Sequence, residues 1–138
     1  MRAETQTAAA AARAAAANRS VLIVEDDRSA RRAIAMILRR RGYAVSEAAT
    51  IADAIGLLNG NGSGDGPPAW MLLDLMLPDG CGIDVLRRIR AAKLATRTCV
   101  ITGCAAKMLA EAREAGAEHT FVKPLDVEHL CTVMGADD

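Results

Sequence analysis

WMLLDLMLPDG, Trp70 to Gly80, sets a single carboxylate, Asp74, in the middle of an apolar run. The residues before it are apolar without alternation, and Pro78 and Gly80 close the segment. That is the pattern of a short strand covered on both faces, as in a parallel sheet. A buried carboxylate without a partner is strongly unfavourable. Asp74 must therefore be solvated at a strand end, paired with a cation or bound to a metal. Nucleophile, metal ligand and plain turn residue all remain open at this point.

The same grammar recurs on either side. VLIV (Val21–Val24) is a second apolar run, and it ends in Glu25, Asp26 and Asp27. Ala30, Ala33, Ile34, Ile37 and Leu38 then recur at helical spacing. Ser29 is a candidate cap, Asp27 is read as a capping acid in preference to a metal ligand, Arg39–Arg41 suit the C-terminal dipole, and Gly42 stops the helix. A second strand is expected around Tyr43–Glu47 and a second helix around Ile51–Leu58. NGNGSGDGPP is loop chemistry. The third strand, Ala69–Leu73, enters Asp74, and a helix over Ile83–Ala92 turns Val85, Leu86 and Ile89 inward. CVIT (Cys99–Thr102) predicts a fourth strand, Lys107–Ala115 a helix, Phe121–Val122 a fifth strand and Val127–Met134 a last helix. Strand and helix alternate five times, which implies an α/β fold with a doubly wound parallel sheet and helices on both faces.

The 138 residues suit one domain, which would bury about two thirds of the surface its unfolded chain exposes. Aromatics are 2% of the chain, so the core must be aliphatic. Lys+Arg and Asp+Glu are equal at 17, which removes a global pull toward nucleic acid or anionic membrane, and the aromatics are too few for a base-stacking platform. Direct DNA binding and membrane insertion are not expected. No stretch reaches the roughly 20 apolar residues of a membrane span. Cys81, Cys99, Cys104 and Cys131 form no CxxC pair and read as free, mostly buried thiols. Residues 1–19, alanine-rich and split by Arg13, read as a disordered tail and not as a signal sequence; a cytoplasmic location follows by default.

In a doubly wound sheet, ligands lie beyond the carboxyl ends of the strands, where strand order reverses. The residues at those ends are Glu25 and Asp26 after the first strand, Asp74 after the third, Thr102 after the fourth and Lys123 after the fifth. Three carboxylates are hard oxygen ligands that suit Mg²⁺ or Mn²⁺. A hydroxyl and an ammonium opposite them suit phosphoryl oxygens. The chemistry favoured is attack of a carboxylate on phosphorus, giving an aspartyl phosphate.

VLIVEDD, LLDLMLPDGCGIDVL, VITG and FVKPL, in that order, resemble the receiver domain of two-component response regulators over roughly Ser20 to Met134, and residues 20–138 are expected to form that domain. The resemblance implies a flavodoxin-like sheet of order 2-1-3-4-5. It also implies that Asp74 accepts a phosphoryl group from a histidine kinase or histidine phosphotransfer protein. Asp26, Asp74 and the Met76 carbonyl would hold Mg²⁺, with Glu25 acting through bound water. Lys123 would pair with Asp74 and then with the phosphate, ahead of a cis bond to Pro124. Thr102 would turn its hydroxyl to the phosphoryl group and so act as the switch. The chain ends some fifteen residues past Lys123, so a stand-alone phosphoacceptor is expected, working by relay or by contact with an output protein. Homodimerisation would use the last strand and last two helices.

The sequence departs from the family at three places. Thr120 stands where the family carries an aromatic switch residue, with Phe121 beside it as the candidate to repack. Met76 and Cys104 stand where residues that orient hydrolytic water are common, so slow loss of the phosphate is expected. A receiver-fold module that signals without phosphorylation is the competing reading. A haloacid-dehalogenase phosphatase would need an acid at Met76, and a flavodoxin-like cofactor site would need small and hydroxyl residues at Glu25–Asp27. Asp79 and Asp84 read as surface and helix N-terminal charges, His119 and His129 as structural or exposed, and the arginine runs as solvated helix faces.

Overall fold

Neither VLIV nor WMLL offers water a polar side, and both lie in a sheet covered above and below. The computed structural model describes residues 19–60, 66–103 and 106–135. In chain order the elements are β1 (Ser20–Val24), α1 (Arg28–Arg40), β2 (Ala44–Ala48), α2 (Ile51–Leu58), β3 (Trp70–Asp74), β4 (Met76–Leu77), β5 (Gly80–Cys81), α3 (Ile83–Ala91), β6 (Arg97–Thr102), α4 (Ala106–Glu114), β7 (His119–Val122) and α5 (Val127–Gly135). The main sheet has the order β2-β1-β3-β6-β7, with every neighbouring pair parallel. With the small β4–β5 hairpin set aside, this is the expected 2-1-3-4-5 arrangement.

Strand alternation divides the interior into two cores. Leu22, Val24, Met71, Leu73 and Val100 face one side, where Leu58 of α2, Leu86 and Ile89 of α3 and Ala112 of α4 cover them. Val21, Ile23, Trp70, Leu72, Cys99 and Ile101 face the other, under Ala35 and Leu38 of α1 and Leu130 and Met134 of α5. The order reverses between β1 and β3. Their carboxyl ends therefore open onto one crevice, with those of β6 and β7 beside it.

Local chemistry sets the boundaries. Asp27 caps α1, accepting the Ala30 N–H at 3.1 Å, so the cap is the acid and not Ser29, which lies inside the first turn. Gly42 follows α1 with φ +92°, a conformation that favours glycine. Thr50 caps α2 from the Asp53 N–H at 3.0 Å. Several expectations needed correction. Ala33 points outward and Ala35 inward, because the apolar stripe of α1 is rotated by part of a turn. β2 begins at Ala44 and β7 at His119, where pairing to their neighbours starts. The β4–β5 hairpin was not foreseen; its two-residue strands fall below any periodicity signal. The alanine-rich tail and the centre of the Gly-rich loop lie outside the described residues.

Among the described residues Cys81, Cys99 and Cys131 are free thiols, and burial pushes the Cys99 thiol up to about 12, as suits a core residue. No helix among them is long and apolar enough to cross a membrane. Leu22 is fully buried at the centre of the sheet, so Leu22→Ala is expected to cost about 2–5 kcal/mol in chemical denaturation. Met36, exposed on α1, should tolerate the same truncation within about 0.5 kcal/mol.

Candidate functional site

The crevice collects charge from segments far apart in sequence. Glu25 and Asp26 follow β1, Asp74 ends β3, Thr102 ends β6 and Lys123 follows β7. One carboxylate oxygen from each of Glu25, Asp26 and Asp74 lies within 4.8 Å of the others. The Lys123 ammonium donates to Asp74 Oδ2 at 2.8 Å and to Glu25 Oε1 at 3.2 Å. The Met76 N–H donates to Asp74 Oδ1 at 3.0 Å, so both oxygens of Asp74 are engaged. Asp74 and Glu25 are only 2% and 4% exposed, whereas Asp26 faces solvent. Thr102 is fully buried, and its carbonyl accepts the Lys123 N–H at 3.0 Å, which seats the lysine at the end of β6. The Lys123–Pro124 peptide is cis.

This environment drives the two buried acids apart. Glu25 is pushed up to about 7, first by burial and then by neighbouring Asp74, with Lys123 opposing. Burial acts on Asp74 too, but contacts with Glu25, the Lys123 ammonium and the Met76 N–H outweigh it and hold the carboxyl below its ordinary value. Lys123 is raised despite burial, because both acids favour its charged form. Of the pair, Asp74 is the acid held toward its ionised form and Glu25 the one pushed toward its protonated form. Glu25 Oε2 is buried and has no hydrogen-bond partner among the described residues. Protonated, that oxygen can donate toward Asp74; ionised, it is free for a cation. Three hard oxygen donors and one orphaned buried oxygen fit a divalent cation of the Mg²⁺ class.

Glycine is required behind Asp74. A Cβ on Gly82 would stand 2.6 Å from the Asp74 carbonyl oxygen and 3.1 Å from Leu75 Cα. The Gly82 N–H also donates to the Leu75 carbonyl at 2.8 Å, which locks the start of α3 against the end of β3.

The structure separates the remaining sequence-based candidates. Thr120 lies in β7 opposite Val100, and its Oγ1 accepts from Arg113 of α4 at 2.9 Å. Phe121 lies on the other face, packed with the α1/α5 core and edge-on to His129 at 5.4 Å. By strand parity Phe121 points away from the side that Thr120 and Thr102 share. Met76 is 57% exposed at the crevice mouth. Cys104 lies outside the described residues.

Three residues escaped the sequence reading. Asp79 is exposed, as expected, but it accepts from Ile51 and Ala52 N–H groups at 2.9 and 3.1 Å and so caps α2 from another loop. These bonds hold its carboxyl below the usual range. Arg31 is not a solvated-face residue: it donates to the Glu25 carbonyl at 2.8 Å and to Glu47 at 3.1 Å. Glu47 in turn gathers Arg31, Arg39 and, at 3.9 Å, Arg32. Asx-capping and helix–strand ion pairs of this kind join residues that no local pattern links.

The family model for the response regulator receiver domain matches residues 21–134. The acid tolerance regulatory protein ActR of Rhizobium meliloti (strain 1021) is 33% identical over 104 residues, 75% of this chain and 51% of that protein. The chain thus spans about half the length of the curated relatives it matches. A response regulator receiver domain protein (CheY-like) from Methanospirillum hungatei JF-1 superposes with a TM-score of 0.78 at 23% identity, covering 86% of this chain and 92% of its own. A response regulator signal receiver domain from Bermanella marisrubri gives a TM-score of 0.74 at 31% identity, covering 86% and 96%.

Glu25 binds a proton more tightly folded, near 7, than unfolded, near 4.5, so in metal-free protein its contribution weakens stability as pH rises across that window. Glu25→Gln keeps an acceptor for Lys123 and removes the charge. In EDTA at pH 8 this variant is expected to be more stable than wild type by about 1–3 kcal/mol in urea denaturation, and the gain should shrink toward pH 5.

Proposed function

On the premise that the chain belongs to the response regulator receiver domain family, we propose that Asp74 is the phosphoacceptor for a phosphohistidine on a histidine kinase or histidine phosphotransfer protein. The observation that carries this reading is the Lys123 ammonium bridging Asp74 and Glu25 beside Asp26, at the point where strand order reverses. An Asp74 oxygen attacks phosphorus, a P–O bond forms, and the P–N bond breaks with its electron pair leaving on the imidazole nitrogen. Lys123 neutralises one phosphoryl oxygen, and the Thr102 hydroxyl donates to another. Glu25, Asp26, Asp74 and the Met76 carbonyl are the proposed ligands of Mg²⁺ or Mn²⁺, which supplies further neutralisation of the transferring group's charge. Burial of Asp74 limits access of water to the acyl phosphate.

The response is a change in protein contact or onward transfer of the phosphoryl group. The face made by α4, β7 and α5 is the proposed surface for an output protein or a second copy. A formally neutral chain favours such contacts over direct binding of DNA. A cytoplasmic location goes with a histidine-kinase partner. One observation favours a second reading, signalling without phosphorylation: Thr120 is tied to Arg113 and Phe121 faces the opposite core, so no aromatic stands ready to follow Thr102.

Incubation with acetyl phosphate and Mg²⁺, followed by intact mass measurement under conditions that protect acyl phosphates, separates the readings. A gain of one phosphoryl group, lost in Asp74→Asn and without Mg²⁺, is expected; no adduct in wild type supports the second reading. Met76 carries no acid or amide to orient water, so the phosphorylated form should persist for minutes or longer with Mg²⁺ present. Met76→Glu should shorten that lifetime, and a wild-type lifetime of seconds would count against the assignment of Met76.

A further inference from the structure

Carboxylates of Glu25, Asp26 and Asp74 converge within 4.8 Å, and Glu25 and Asp26 sit on the turn between β1 and α1, outside both elements. Mutual repulsion pushes such a turn outward. Two backbone bonds oppose it. The Glu25 N–H donates to the Ala48 carbonyl at 3.0 Å, and Arg31 Nη1 donates to the Glu25 carbonyl at 2.8 Å. The Arg31 side chain is only 14% exposed, and its Nε donates to Glu47 Oε1 at 3.1 Å. Glu47 is anchored in β2, where it pairs with Ile23 of β1, and it is 18% exposed.

We infer that Arg31 is a positioning residue: anchored on Glu47, its guanidinium clamps the Glu25 peptide so that Glu25 and Asp26 stay converged on Asp74 and bind a divalent cation more tightly. The inference rests on the reading of the three acids as a cation site. The planar fork suits this place, since Nη1 reaches the carbonyl while Nε reaches the carboxylate; a lysine would have to meet both acceptors from one nitrogen on a shorter side chain. Groups that hold metal ligands from behind commonly change affinity by about 10–100-fold when removed.

The sign of the effect separates the clamp from simple electrostatics. Removing a positive charge near an acidic cluster should tighten cation binding by Coulomb attraction alone, whereas loss of the clamp should weaken it. Titration calorimetry with MgCl₂ at fixed pH and ionic strength is the readout. Arg31→Gln is expected to weaken Mg²⁺ binding about tenfold, and Arg31→Lys by less. Arg31→Gln/Glu47→Gln should be no weaker than Arg31→Gln alone. Arg32→Gln, an exposed control that meets Glu47 only at 3.9 Å, should leave affinity unchanged.

Far-UV circular dichroism and urea denaturation in EDTA report the fold separately; a purely structural role would lower EDTA stability and leave the Mg²⁺ affinity of the folded variant intact. Wild-type or tighter affinity in folded Arg31→Gln overturns the clamp, and an additive loss in the double variant overturns its anchoring on Glu47. If Arg31→Gln does not fold, unchanged affinity in both Arg31→Lys and Glu47→Gln overturns the inference. Failure of wild type to bind Mg²⁺ at all overturns the cation reading and the clamp with it.

Discussion

A buried carboxylate that must stay charged is the constraint on which the rest of the structure turns. Asp74 is 2% exposed and remains ionised because Lys123 and the Met76 N–H occupy its two oxygens, while Glu25 beside it takes up the unfavourable share of the charge. An isolated carboxylate at this depth would neutralise itself by binding a proton. The lysine comes from the far side of β6, so the balance exists only when β1, β3, β6 and β7 are parallel and aligned at their carboxyl ends. Fold and charge state therefore depend on each other.

Backbone geometry around the crevice serves the same balance. Gly82 allows α3 to start against the Asp74 carbonyl, where any side chain would collide. Asp79 reaches back to the first N–H groups of α2 and so ties the β4–β5 hairpin to the helix beside β2. Arg31 and Glu47 brace the acidic turn from behind. Each of these contacts joins the loop that carries a charged residue to an element that cannot move easily. A cluster of like charges held on loops alone would spread.

The edge of the sheet at β7 is built differently. In β7, Thr120 faces α4 and accepts from Arg113, and Phe121 is committed to the core under α1 and α5. The alternation of side chains along a strand leaves Phe121 no route to the Thr102 side without a register shift of the whole strand. Phe121 thus lies on the face opposite Thr120. The hydrogen bond between Arg113 and Thr120 is one contact that links α4 to the last strand.

Much of the fold was legible in the chain because its determinants are local. Apolar runs four residues long, helical spacing and Gly or Asx punctuation placed all five sheet strands within a few residues, and α2 over its full extent. The candidate site was legible for the same reason: residues at strand ends share an edge in any parallel sheet, so Glu25, Asp26, Asp74, Thr102 and Lys123 could be grouped without coordinates. The errors arose where distant segments compete. Arg31 was read as solvated because its partners, the Glu25 carbonyl and Glu47, are invisible to helical periodicity, and the face that Phe121 takes is decided only by strand pairing. The amino-acid sequence by itself determined which residues carry charge at the sheet edge and that the sheet is parallel. Only the tertiary structure decided which acid is pushed toward its protonated form, which arginine meets the Glu25 carbonyl and which way Phe121 points, because burial, pairing and facing are properties of contacts between remote segments.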